Sequence, residues 1–398
     1  MEPAADPQRK KQLLQYLCII GLFSIFSTTI AKNPVLPLYA ETLGAGSATI
    51  GLISAVSPFA GILFSFPVGV LSDHLGRRRL LLLSGAVFLI APLLYLAAAD
   101  PLLLIPVRFF HGMATAILAP VVGAVIAEQF GDHKGAAMGT YSSATLIGRS
   151  AAPLTGGILL SLFAAAPVPF AYHSVYLIAF AAGIPVFLLM LRYHDTEPVP
   201  NLSSVSISAF RENLLIFLSS RGLRSASCAE MATYFCFGTF ETFLPLYLLA
   251  AGISPWQIGI IFFVQVIIIA ATKPFFGRLA DRYDPVRQIL LGLLLTGGAM
   301  GTVSLTGNFW LLLGISCIFG IGMSLSTVAA NVYAADVAEQ NRLGASMGAL
   351  SSIMDIGHSA GPLIAGVAVT LAGYTAGFTL CLLTVLAVAG CIALGTQR

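Results

Sequence analysis

Residues 135–157 read GAAMGTYSSATLIGRSAAPLTGG and residues 344–366 read GASMGALSSIMDIGHSAGPLIAG, identical at 13 of 23 positions. The match extends outward in both directions. Pro37-Leu38-Tyr39 recurs as Pro245-Leu246-Tyr247, Gly69-x-Leu71-x-Asp73 as Gly277-x-Leu279-x-Asp281, and Gly112 as Gly320, all at a shift of 208. The chain is a duplicated unit. Its divisions follow as a first bundle over 1–192, a connector over 193–221 and a second bundle over 222–398. The connector holds Pro198, Pro200 and an amphipathic stretch from Phe210 to Leu218 that reads as a helix lying on the membrane surface.

Each unit contains six long apolar runs, near 14–39, 46–70, 80–98, 102–128, 135–163 and 170–192, then 222–249, 254–277, 287–305, 309–335, 344–371 and 374–395. Roughly 20 apolar residues cross a bilayer as a helix. The runs are continuously apolar instead of alternating, which selects helices over a barrel. The expected fold is an all-α membrane protein of twelve transmembrane helices in two six-helix pseudo-symmetric bundles. Composition agrees: of 398 residues, 57% are hydrophobic and 9% charged, with mean hydropathy +0.91. Soluble domains carry about 25% charged residues. Ordinary soluble domains, disordered chains and nucleic-acid binders are thereby excluded. The first run is too long for a signal-peptide core and no small-residue cleavage site follows it, so it reads as the first span. The six cysteines, Cys18, Cys228, Cys236, Cys317, Cys381 and Cys391, all fall inside the runs without metal-ligand spacing and read as packing residues.

Orientation follows from the basic residues. Sixteen of the 20 lie before span one, in the loops two–three, four–five, six–seven, eight–nine and ten–eleven, or at the end of the chain. The opposite loops have none. The positive-inside rule makes the basic side cytoplasmic, with both termini on it. Trp256 and Trp310 fall at the outer interface, where indole rings prefer to sit. A multi-pass protein of the plasma membrane, such as a bacterial inner membrane, is expected. Parallel repeats of this kind point to a transporter that rocks about a site between its halves.

Three motifs carry a resemblance. The loop Gly69-Val-Leu71-Ser-Asp73-His-Leu-Gly76-Arg77-Arg78 resembles the signature between spans two and three of the major facilitator superfamily. Arg108-x-x-x-Gly112 in span four looks like a second signature of that superfamily. Gly139-x8-Gly148-x3-Ala152-Pro153-x2-Gly156-Gly157 in span five is similar to the motif of its twelve-span drug/proton antiporters, with Ala152 where that motif usually has glycine. The resemblance implies that the loop signature stabilises an outward-facing state through contact with span eleven. On physical grounds Asp73 and Arg77 can form charge-assisted hydrogen bonds with groups of the other half, and Glu128 and Asp336, at equivalent ends of spans four and ten, are plausible partners. The second copy of the loop has Asp284 where the first has Gly76. Gly148, Gly157 and Gly357 suit close helix approach, and Pro153 and Pro362 bend matched helices at the interface of the halves.

Seven charged residues fall inside spans: Lys32, Arg108, Arg149, Glu230, Glu241, Lys273 and Asp355. Each costs at least about 2.5–3.5 kcal/mol at the centre of a span, so each needs a partner or a water-filled cavity. Under the repeat shift Lys32 and Glu241 lie one residue apart, so they sit at similar depth on facing helices. Arg149 and His358 are equivalents in spans five and eleven, and Asp355 precedes His358 by three residues on one helix face. Lys32, Arg108, Arg149, Glu230, Glu241, Asp355 and His358 are the candidate substrate and proton cavity. Alternatives stay open: Lys32 and Lys273 snorkelling to an interface, Arg108 as a tether, Glu230 paired with Arg224, and His358 as a hydrogen-bonded core residue.

The sequence reads as a secondary transporter working by alternating access, exporting a small amphipathic compound or drug in exchange for protons. The alternative is a proton-coupled importer of a sugar, organic acid or other small metabolite. No G-x-x-x-x-G-K-[ST] loop is present, so the proton gradient is the expected energy source, with no cofactor. The expected partners are a small-molecule substrate, protons and the lipid bilayer, for a monomer. No metal cluster or nucleophile motif marks an enzyme.

Overall fold

The computed structural model describes residues 7–193, 220–338 and 343–396, and these form helices with no strand among them. Span one is two helices, Pro7–Ile30 and Val35–Thr42, separated by a turn at Lys32 and Asn33. Pro34 has no N–H to continue the ladder, and the turn closes through Asn33 N–H donating to the Thr29 carbonyl at 2.8 Å. Spans two to six are Ser47–Leu75, Arg77–Leu96, Leu104–Phe130, Lys134–Leu162 and Val168–Arg192. Spans seven to ten are Arg221–Ala250, Pro255–Ala280, Pro285–Val303 and Phe309–Val337. The final helical stretch, Leu343–Thr396, breaks at Ala372 and Gly373, where Gly373 has φ +81°, and so divides into spans eleven and twelve. The expected surface helix at 210–218 lies outside the described residues.

Among the described residues nine stretches are long and apolar enough to cross a membrane, and the one over Ser346–Leu394 holds two spans. The two remaining long helices, spans five and seven, fall short of that apolarity for one reason. They carry the polar side chains of the interior, including Arg149 in the first and Glu230 and Glu241 in the second. A helix that turns charged groups inward is less apolar than one that faces lipid on most sides.

The two halves repeat their internal contacts residue for residue. A side chain at Gly148 of span five would collide with the Leu22 carbonyl of span one, and one at Gly357 of span eleven with the Met231 carbonyl of span seven. Likewise a Cβ at Gly112 would lie 2.9 Å from the Ser57 carbonyl, and one at Gly320 would lie 3.2 Å from the Gln265 carbonyl. These contacts join spans one–five and seven–eleven, and two–four and eight–ten. Small residues let the backbones approach this closely, which is how apolar helices associate where burial from water gives no drive.

Between the halves, span two packs on span eleven and span five on span eight. Both seams close at the end opposite the basic loops. Gly51 lies against the Pro362 carbonyl, Gly157 against the Pro255 carbonyl, and Gly259 against the Pro153 carbonyl. Ala48 N–H donates to Thr370 Oγ1 at 3.1 Å and Trp256 N–H to Ser161 Oγ at 2.9 Å across the same seams. At the other end Gly135, Gly139 and Gly348 face open space. The molecule is sealed on one side and open on the side of the arginine-rich loops. Gly157→Val overpacks the sealed seam at a cost of about 1–3 kcal/mol, enough to shift the closed population by roughly fivefold to a hundredfold. Spin labels at Leu102 and Leu305, exposed near the sealed end, should report a longer distance in this variant; an unchanged distance would mean the seam does not hold the closure.

Candidate functional site

The turn in span one presents Lys32 and Asn33 to the second half. Lys32 Nζ lies 2.6 Å from Glu241 Oε2, and Asn33 Nδ2 donates to Glu241 Oε1. His358 Nε2 of span eleven is 3.0 Å from the same Glu241 Oε2 and 3.3 Å from Lys32 Nζ. A single imidazole nitrogen either donates or accepts, so Nε2 serves the carboxylate or the ammonium, not both at once. Glu241 is 7% exposed. One carboxylate thus gathers groups from spans one and eleven onto span seven, and joins the two halves through charge-assisted hydrogen bonds.

This cluster forms one wall of a cavity of about 380 Å³ between the halves. Arg108, Arg149 and Asp355 also line it, with Tyr141, Tyr234 and Phe237. Asp355 faces span two, where a Cβ on Gly61 would lie 3.2 Å from its Oδ2. Among the described residues it has no hydrogen bond or ion pair. Arg149 reaches in from span five, exposed to the cavity, and is likewise without such a partner among the described residues. Arg108 is 1% exposed; Nη1 donates to the Tyr95 hydroxyl at 3.4 Å, and Nε has no acceptor. Tyr95 in turn stacks on Tyr176 with centroids 4.5 Å apart.

The repeat arithmetic therefore brings Lys32, Glu241, His358, Asp355 and Arg149 to one cavity. Lys32 does not snorkel, because the break in span one turns it toward Glu241. Glu230 is a correction: it does not line this cavity. It lies 11 residues before Glu241 on the same helix, about 16 Å along the axis, and its Oε1 accepts from Asn331 Nδ2 of span ten at 2.6 Å. Asn331, not Arg224, is its partner. Lys273 is exposed and stands outside the cavity lining. Asn33 was not singled out by the sequence; its position between Lys32 and a helix-breaking proline was the available signal.

At the open end, Gly76 turns the chain between spans two and three with φ +85°, a conformation that favours glycine. The equivalent Asp284 has φ −48° and instead caps its helix by accepting from Val286 N–H. Arg77 Nη2 pairs with Glu128 Oε1 of span four, and Arg78 Nη2 donates to the Leu191 carbonyl at 3.3 Å. The pairing of Arg77 with Glu128 is the one expected of that acid; the two bonds lie within the first half, whereas contacts with the other half were also expected. Asp336 is exposed without an ion pair among the described residues, because the position equivalent to Arg77 is Pro285. The surroundings of Gly69 and the side chain of Asp73 are not among those described. All six cysteines are free thiols.

A family model described as Major Facilitator Superfamily matches residues 17–256 and 226–396. The chain is 25% identical over 339 residues to an uncharacterised MFS-type transporter of Methanocaldococcus jannaschii, covering 84% of this chain and 85% of that one. It is 29% identical over 308 residues to the multidrug resistance protein MdtG of Proteus mirabilis, covering 74% of each. In fold it is similar to the crystal structure of a bacterial homologue of the human lysosomal transporter Spinster, inward-facing and occupied, with TM-score 0.80 and 16% identity over 99% of this chain and 98% of that one.

The cluster makes a thermodynamic prediction. Removing one member of a buried pair strands the other and costs roughly 3–5 kcal/mol, whereas replacing both by apolar groups is near neutral. The cost here falls at the low end, since the Lys32 side chain keeps 18% exposure. Lys32→Met and Glu241→Leu should each lower the thermal midpoint of the purified protein, and the double variant should recover most of the loss. A double variant as unstable as the summed singles would show the two groups to be independent.

Proposed function

The chain belongs to the major facilitator superfamily and is a multi-pass membrane transporter, not an enzyme; from that premise we propose that it exports a small amphipathic compound in exchange for protons by alternating access. The observation that carries the reading is the arrangement of acids in the cavity. Glu241 is bound to Lys32, Asn33 and His358 of other spans, while Asp355 stands a short distance away without a partner among the described residues. One carboxylate ties the halves together and the other is available to take a proton. The basic loops at the open end make that end cytoplasmic, with both termini on the same side. The state described is then inward-facing, ready to load substrate from the cytoplasm.

In this reading substrate enters from the cytoplasm and meets Arg149, Asp355 and the aromatic wall. A conformational change requires a ligand that binds the two states unequally. Substrate that engages the cations of the cluster weakens the hold of Glu241 on Lys32, and with it the tie that closes the outer end. The outward state then releases substrate, and a proton taken up by a carboxylate resets the carrier. Relation to a multidrug resistance protein favours export over import.

The test is substrate flux in proteoliposomes, with and without an imposed pH gradient. Asp355→Asn should abolish the response to the gradient by roughly tenfold or more while substrate-for-substrate exchange continues, as the energy of a missing coupling proton predicts. Gradient-driven flux at the parental rate in this variant would remove Asp355 from coupling. Loss of both modes together would make it a structural residue.

A further inference from the structure

The cavity is polarised along its width. Asp355 lies on the wall where span eleven meets span two, beside Gly61. Arg149 projects from span five, on the other side of the first half. Both act on the central cluster, and Arg108 and Arg149 each reach Lys32 electrostatically. The lining has three basic side chains, Lys32, Arg108 and Arg149, against two carboxylates. Lys32 and Glu241 neutralise each other at 2.6 Å. That leaves two guanidinium groups facing one carboxylate on a different wall, and no ion pair satisfies either of them among the described residues. Arg108 adds an independent sign: at 1% exposure its Nε has no acceptor. A desolvated guanidinium is costly without an anion, and its planar fork matches an oxyanion better than any neutral group.

The cavity also supplies a place for an apolar body. Tyr234 and Phe237 of span seven lie with ring centroids 5.9 and 5.4 Å from the His358 ring, facing the space that Arg149 enters. Aromatic faces of this kind hold flat apolar groups by offset or edge packing. The volume, about 380 Å³, suits one small molecule.

We infer that the substrate carries a single oxyanion, of which a carboxylate is the simplest, bound by Arg149 with Arg108 behind it, and an aromatic or apolar body seated on Tyr234 and Phe237. This rests on the transport reading and names its substrate class. Arg149 is the specificity determinant, and its equivalent in the second half, His358, is engaged with Glu241 and does not compete for the anion.

The experiment uses three probes of one shape: 1-naphthoate, 1-naphthamide and 1-naphthylmethylamine. Binding to the detergent-purified full chain is read as ligand-dependent thermal stabilisation. Naphthoate should bind about tenfold tighter than the amide, as one charge-assisted pair of hydrogen bonds provides, with the amine weakest. Arg149→Ala should bring naphthoate to within about twofold of the amide while amide binding is retained, and Arg149→Lys should restore part of the difference. Retained amide binding shows that the variant is folded. Equal or tighter binding of the amide or amine by the parent, an undiminished preference in Arg149→Ala, or no binding of any probe would each overturn the inference. Proteoliposome flux of the preferred probe separates this from the broader reading: an amine that is pumped against a pH gradient overturns the substrate class and leaves proton-driven export intact.

Discussion

The Glu241 carboxylate is the polar tie between the two halves of the molecule, set between the two seams along which they pack. It sits 7% exposed on span seven and receives Lys32 and Asn33 from span one and His358 from span eleven. A carboxylate in such a place is tolerated because its lone pairs are filled by strong donors, and the donors come from both halves. The same dependence makes the tie reversible. Anything that supplies a competing anion to Lys32, or a proton to the acid, removes the reason for the contact without disturbing the apolar packing around it.

That packing is arranged so that the reversible tie matters. Within each half the helices meet backbone to backbone at glycines, at equivalent positions in the two copies, such as Gly148 on Leu22 and Gly357 on Met231. Contacts of this kind are rigid, since no side chain intervenes to yield. The seams between halves use glycine too, but at one end only, where Gly157 meets Pro255 and Gly51 meets Pro362. At the opposite end Gly139 and Gly348 face nothing. Two stiff bundles joined along one edge are the frame that rocking about a central site requires.

The charge pattern at the open end fits the same picture. Arg77 pairs with Glu128, and Arg78 donates to the Leu191 carbonyl, both in their own half. In a state closed at that end they would have other surfaces within reach. The second copy lacks this device: Pro285 stands at the position of Arg77, and Asp284, where the first copy has Gly76, serves as a helix cap. Duplication built the frame, and divergence at a few charged positions made the halves unequal.

Sequence alone determined the class, a helical architecture consistent with twelve spans, and the internal repeat, because hydropathy period and repeat shift are linear properties of the chain. It placed Lys32 opposite Glu241 and Asp355 beside His358 for the same reason. It could not determine rotation about a helix axis or the direction a broken helix takes. Glu230 and Glu241 share span seven, yet only the packing of span ten against span seven sends Glu230 to Asn331 and out of the cavity. Asn33 became a ligand of Glu241 because span one unwinds at Pro34, and Arg77 meets Glu128 because spans three and four pack together. Class and repeat are written along the chain, whereas facing, pairing and conformational state arise only when helices distant in sequence are packed together.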